Sequence, residues 1–209
     1  MAGCEVLATR AIQVCHQRTW GLWRDWLRSF ARSTSASLLC GGYRDPVLLR
    51  CTRGLLKLVG GRAGTLVEAE PGIDDWYANV VVIERRKCLL LVHADTLFSV
   101  LDTDVRVAQL DDLGLYVATL VVDALASEGL PGTTLGPVDP SGVLVARTAS
   151  RSVLGHMNEM TFEAQHLIAQ DGGLRHTDLD GVNRRLRRGL HRRGGDYVVP
   201  LELAAARPA

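Results

Sequence analysis

Within residues 150–167, SRSVLGHMNEMTFEAQHL, four side chains able to bind a metal or move a proton recur as His-x2-Glu-x3-Glu-x2-His: His156, Glu159, Glu163 and His166. At 100° per residue they fall within an arc of roughly 80° on one helix. Glu163 and His166 form a Glu-x-x-His pair, the unit that helical bundles use in duplicate to hold two metal ions. No second such pair occurs in the chain. A polar stripe beside an apolar one is also what any half-buried helix presents. The stripe therefore reads either as weak metal ligands or as a solvated face.

Two other groups could do chemistry. His93 and Asp95 close an expected strand near Asp102 and Asp104, and carboxylates at strand ends can hold a divalent ion or act as acid and base. Turn and cap roles explain the same letters. RRLRRGLHRR, residues 184–193, holds six arginines: Arg184, Arg185, Arg187, Arg188, Arg192 and Arg193. Such a run can neutralise phosphates. It also suits a helix end, where cations favour the C-terminal dipole. Arg187 and Arg188 have no interleaved aromatic residue on which bases could stack. No P-loop, G-x-G-x-x-G, H-E-x-x-H or Ser-His-Asp order is present, and no cofactor is indicated.

The elements that must carry these residues read as follows. VLLRC, residues 47–51, is a short strand, and TRGLLKLVGG is a helix capped by Thr52. WYANVVVIE (76–84) and CLLLVHA (88–94) are two apolar runs across a short polar joint, which is the pattern of a β-hairpin. The joint lacks Gly and Asn, so a primed two-residue turn is not assured. Near-continuous apolar runs suggest strands covered on both faces. TLFSVLD (96–102) makes a third strand, and residues 107–127 follow an i, i+3, i+4 apolar pattern weakened by Gly114.

VLVART (143–148) is a strand leading into the helix of residues 150–170. In that helix Val153, Met157, Met160, Ala164, Leu167 and Ile168 share an arc of roughly 100° and face a core. Ser150 and Ser152 are both candidate caps. A basic helix beginning near Thr177 follows, and DYVVPLEL is expected to be extended. The fold class expected is α+β: a mixed or antiparallel sheet with a central hairpin, packed by three main helices.

Composition bounds the partners. The 209 residues carry a net charge of +1, so no single electrostatic partner dominates, and 47% hydrophobic content supports a sizeable core. Arginine outnumbers lysine 22 to 2, Lys57 and Lys87 being the two lysines. Five cysteines at wide spacing, with no CxxC pair, fit a reducing cytoplasm better than a disulfide framework. No apolar run approaches the roughly 20 residues of a membrane span.

Residues 1–46 differ from the rest, holding three of the five cysteines and three of the four tryptophans. WGLWRDWLRSF places Trp20, Trp23, Leu27 and Phe30 at helical spacing. This segment reads as an N-terminal extension: a poorly ordered leader or misassigned start, a docked helix, or an interfacial amphipathic helix. The expected division is thus 1–46 as extension, 47–203 as one domain and 204–209 as tail.

RSVLGHMNEM, preceded by VLVART, resembles the signature of an uncharacterised bacterial family, domain of unknown function 6933. LLRCTRGLLKLVG, DWYANVVVIERRKCLLLVHADTLFSVL and DYVVP fit the same family. The matching residues are Arg151, Ser152, Leu154, Gly155, Met157, Asn158 and Glu159, with Trp76 and Asn79 from the hairpin. The resemblance implies no activity that can be carried over.

The motif still has physical content. Gly155 permits close backbone approach. Arg151 sits at a helix start that prefers anions, so it asks for a partner. The ligand or structural-network candidates are therefore Arg151, Ser152, Gly155, Asn158, Glu159, Trp76 and Asn79. The reading that fits best is a small cytoplasmic binding or accessory domain with a possible protein partner. The alternatives are a nucleic-acid-associated protein using the arginine run and a metal-dependent hydrolase.

Overall fold

Alternation of buried side chains across two strands organises the domain. A computed structural model describes residues 47–60, 65–136 and 143–207, and the readings made for residues 1–46 lie outside them. Strand β1 is Leu48–Cys51 and helix α1 is Arg53–Val59. Strands β2 (Trp76–Ile83), β3 (Arg86–His93) and β4 (Ser99–Asp102) follow. A 3-10 segment, Val107–Asp112, leads into α2, Leu113–Ser127. Then come β5 (Leu144–Arg147), α3 (Arg151–Gln170), α4 (Leu179–Arg188), β6 (His191–Arg193), β7 (Asp196–Val198) and α5 (Pro200–Ala205).

The main sheet has the order β4-β3-β2-β1-β5. β1 is parallel to β2 and to β5, while β2, β3 and β4 are antiparallel in turn. This mixed sheet with helices packed on it is the α+β arrangement expected. One face carries Leu49, Trp76, Ala78, Leu89 and Leu91 against α1, α2 and the 3-10 segment. The other carries Tyr77, Val81, Leu90 and Val92 against α3 and α4. Period-two alternation with burial on both sides explains why the strands read as continuous apolar runs.

Four local features differ from expectation or sharpen it. The hairpin turns through Glu84 and Arg85, both in the left-handed region at φ 47 and 65, as a primed turn demands. Glu84 is held there because its carboxylate accepts the Leu174 N–H at 3.1 Å. The helix expected from residue 107 is α-helical only from Leu113, because Asp112 caps it by accepting the Leu115 N–H at 3.1 Å. The basic segment after Thr177 ends as a helix at Arg188 and continues as the β6–β7 hairpin. Finally, residues 200–205 are helical rather than extended, with Pro200 in the first turn, where its missing N–H costs nothing.

The outer edge of β4 is covered by a side chain. Asn183 of α4 accepts the Leu101 N–H at 2.7 Å and donates back to the Leu101 carbonyl at 2.9 Å. An asparagine thus stands in for one residue of a neighbouring strand and blunts an edge that would otherwise template pairing.

His93 ends β3 fully buried beside Trp76, their ring centroids 5.2 Å apart. Its Nδ1 accepts the Thr96 N–H at 3.3 Å, so the proton sits on Nε2, 4.0 Å from Asp74 Oδ1. Burial first, and then the nearby Arg207 charge, push its pKa down to about 4. The folded state therefore holds this ring neutral, while the unfolded chain binds a proton below its ordinary 6.5. Stability should be lost as pH falls from about 6.5 to about 4, by roughly 3 kcal/mol from this group. Denaturant titrations across that range should show the loss, and His93→Gln should remove most of it.

Candidate functional site

Helix α3 begins where β5 ends, and its start is fixed from both sides. The Ser150 hydroxyl accepts the Val153 N–H at 3.3 Å, and the Ser150 N–H donates to Tyr77 Oη at 3.2 Å. With the helix so anchored, Val153, Met157, Met160, Ala164, Leu167 and Ile168 are buried against the sheet, as their spacing requires.

The opposite side of α3 is open. Arg151, Gly155, Asn158 and Phe162 fall within roughly 60° at helical spacing, with Glu159 beside them. All five are exposed, and Phe162 is 71% exposed. A Cβ added at Gly155 would meet nothing within 4 Å. The fold therefore has no steric need for glycine there, although glycine in a helix costs about 1 kcal/mol relative to alanine.

Of the seven candidates drawn from the sequence, the structure brings five together: Arg151, Ser152, Gly155, Asn158 and Glu159, all exposed on the first turns of α3. Trp76 and Asn79 are not part of that group. Trp76 is fully buried in the layer on the other side of the sheet. The Asn79 Oδ1 accepts the Thr52 hydroxyl at 2.7 Å and ties β2 to the cap of α1. Phe162 was missed by sequence reading, although its position in the same arc as Arg151 and Gly155 was available from the spacing.

The His-Glu-Glu-His stripe separates. His156 is buried, with Nδ1 3.5 Å from Glu159 Oε2. Glu163 turns toward the C-terminal end of α4, its Oε1 3.5 Å from where a Gly189 Cβ would stand. His166 contacts Gln170, Nε2 to Nε2, at 3.0 Å. Among the described residues no group of three or more His, Cys, Asp or Glu side chains could hold a metal ion. The strand-end carboxylates are also dispersed. Asp95 pairs with Arg193 at 2.7 Å and Arg207 at 3.1 Å, Asp102 accepts the Tyr116 hydroxyl, and Asp104 pairs with Arg86.

The arginine run is largely engaged within the chain. Arg187 Nε lies 3.0 Å and Arg188 Nη2 2.6 Å from carboxylate oxygens of Glu128, whose side chain has no exposed surface. Arg184 reaches Asp178 at 3.4 Å, and Arg193 reaches Asp95. Arg185 and Arg192 have no ion pair among the described residues. A phosphate-binding surface works through cations free to displace the counter-ions condensed on the phosphates. Here Arg187 is buried over the Phe98 ring, its Cζ 5.1 Å from the ring centroid, and cannot face a phosphate chain.

No helix among the described residues is long and apolar enough to cross a membrane. A family model described as Domain of unknown function (DUF6933) matches residues 48–203, well over half of the chain. No curated protein matches it.

Proposed function

The chain therefore belongs to the DUF6933 family, and we propose that its domain is a protein-binding module that docks a partner on the outward face of α3. Gly155 carries this reading. It sits in a well-packed helix, two turns before an exposed phenylalanine on the same face, with open space where a side chain would stand. An intrinsic cost with no return inside the fold points to a surface that something outside must approach closely. Phe162 supplies the apolar anchor such a contact needs, and Arg151, Asn158 and Glu159 supply a polar rim.

The domain is taken to span 47–203, with residues 1–46 as an extension, in the cytoplasm of a bacterium. Cys51 and Cys88, both buried and free, are compatible with a reducing compartment. Burial pushes their thiols up to about 12 and about 11, which leaves them inert. The test is photo-crosslinking of the full chain in an extract of the source cells, with the photoreactive residue benzoylphenylalanine in place of Phe162. A discrete adduct should form and should vanish when Gly155→Arg fills the face. An adduct indifferent to Gly155→Arg, or no adduct, would remove the proposal.

A further inference from the structure

The other side of the sheet carries a second surface. A groove of about 310 Å³ opens between α1 and β2, lined by Gly54, Lys57, Leu58, Val80, Val82 and Lys87. Its floor is apolar, and Val82 is 62% exposed there. Its charged members are the chain's two lysines, and no carboxylate lines it. The groove exists because β1 is short. β1 pairs with β2 only as far as Ala78, and the chain then turns into α1.

The backbone at this groove is incompletely paired. The Ala78 carbonyl accepts the Thr52 N–H at 3.0 Å, so Ala78 directs its polar groups away from β3. By the alternation of an antiparallel ladder, Val80 and Val82 direct theirs the same way. Neither has a backbone partner on that side among the described residues. An apolar floor beside an open strand flank is what an extended peptide adds to.

We propose that this groove binds an extended segment of a partner protein, apolar at its centre and carrying carboxylates that meet Lys57 and Lys87, and that the segment adds as a strand beside Val80–Val82. The charge selects the occupant. A second copy of this chain would bring the same two lysines against themselves, whereas an acidic segment neutralises both. The site lies across the sheet from α3, so it does not depend on the docking face proposed above.

The scarcity of lysine makes the test specific. Reductive ¹³C-methylation of the full chain keeps the lysine charge and labels Lys57, Lys87 and the α-amino group alone. The probe is an acetylated, amidated peptide, Glu-Glu-Val-Thr-Val-Glu-Glu, with a counterpart carrying Lys for every Glu. The acidic peptide should move both lysine signals and slow amide exchange at Val80 and Val82. Lys87→Glu should weaken binding about tenfold, and Phe162→Ala should leave it unchanged. Equal binding of the basic counterpart, immobile lysine signals or unchanged exchange at Val80 and Val82 would each overturn the proposal. So would laurate moving the lysine signals where the peptide does not, or self-association of the chain through Val82.

Discussion

Replacing Glu128 with Gln should destabilise the domain by about 3–5 kcal/mol. The substitution keeps the shape and removes the charge. The Arg187 side chain is 3% exposed and the Glu128 side chain not at all, so the guanidinium would remain in the interior without its counter-ion. Burial already lowers the Arg187 pKa, with Glu128 opposing that shift. The pair is close, but the Arg187 Nε–H is out of line for a hydrogen bond. The attraction is therefore ionic, with the Phe98 ring beneath the guanidinium. Typical domains have only about 5–15 kcal/mol in total, so denaturant midpoints should fall steeply. The double variant Glu128→Leu with Arg187→Leu should recover most of the loss, since apolar replacement of a whole buried pair is often neutral. A loss below about 1 kcal/mol for Glu128→Gln would mean the pair is hydrated like a surface one.

Asp75→Asn should cost a similar amount, about 3–5 kcal/mol, for a different reason. Arg50 stands on β1 with its side chain 2% exposed, and it pairs through Nε with Asp75. Its remaining nitrogens donate to the carbonyls of Arg147 at 3.2 Å, Ala69 at 3.0 Å and Glu70 at 2.6 Å. The Asp75 carboxylate also accepts the Gly72 N–H at 2.8 Å. One buried cation thus gathers the loop before β2 and the end of β5. Without the Asp75 charge, the Gly72 amide should exchange faster and the melting temperature should drop. Unchanged exchange at Gly72 would show that the carbonyl contacts alone hold the loop.

Local periodicity made much of this architecture readable. The hairpin, the Thr52 and Ser150 caps and the buried stripe of α3 all follow from residues a few positions apart. What could not be read depends on distant partners. Nothing near Arg187 in the chain signals that Glu128 will be buried beside it, so the same letters fit an exposed helix end or a phosphate-binding run. Arg50, a lone cation in a short apolar strand, gave no hint of the three carbonyls it would satisfy. The candidate face was half readable. Arg151, Gly155, Asn158 and Glu159 stood out as a group, but the emptiness around Gly155 is a property of packing that spacing cannot supply. Phe162 was hidden by its own chemistry, because a phenylalanine in an amphipathic helix is expected to point inward. The helix of residues 200–205 has a local signal in Pro200, whose usual place is the first turn of a helix, but the β-branched Val198 and Val199 before it favour an extended chain.

The docking face stands or falls with the claim that Gly155 serves something other than the fold, and the unfolding free energy of Gly155→Ala tests it most directly. With open space at the Cβ position and an exposed helical site, alanine should stabilise the domain by about 1 kcal/mol. A destabilised Gly155→Ala would show that the fold itself requires glycine, and α3 would lose its claim to a partner.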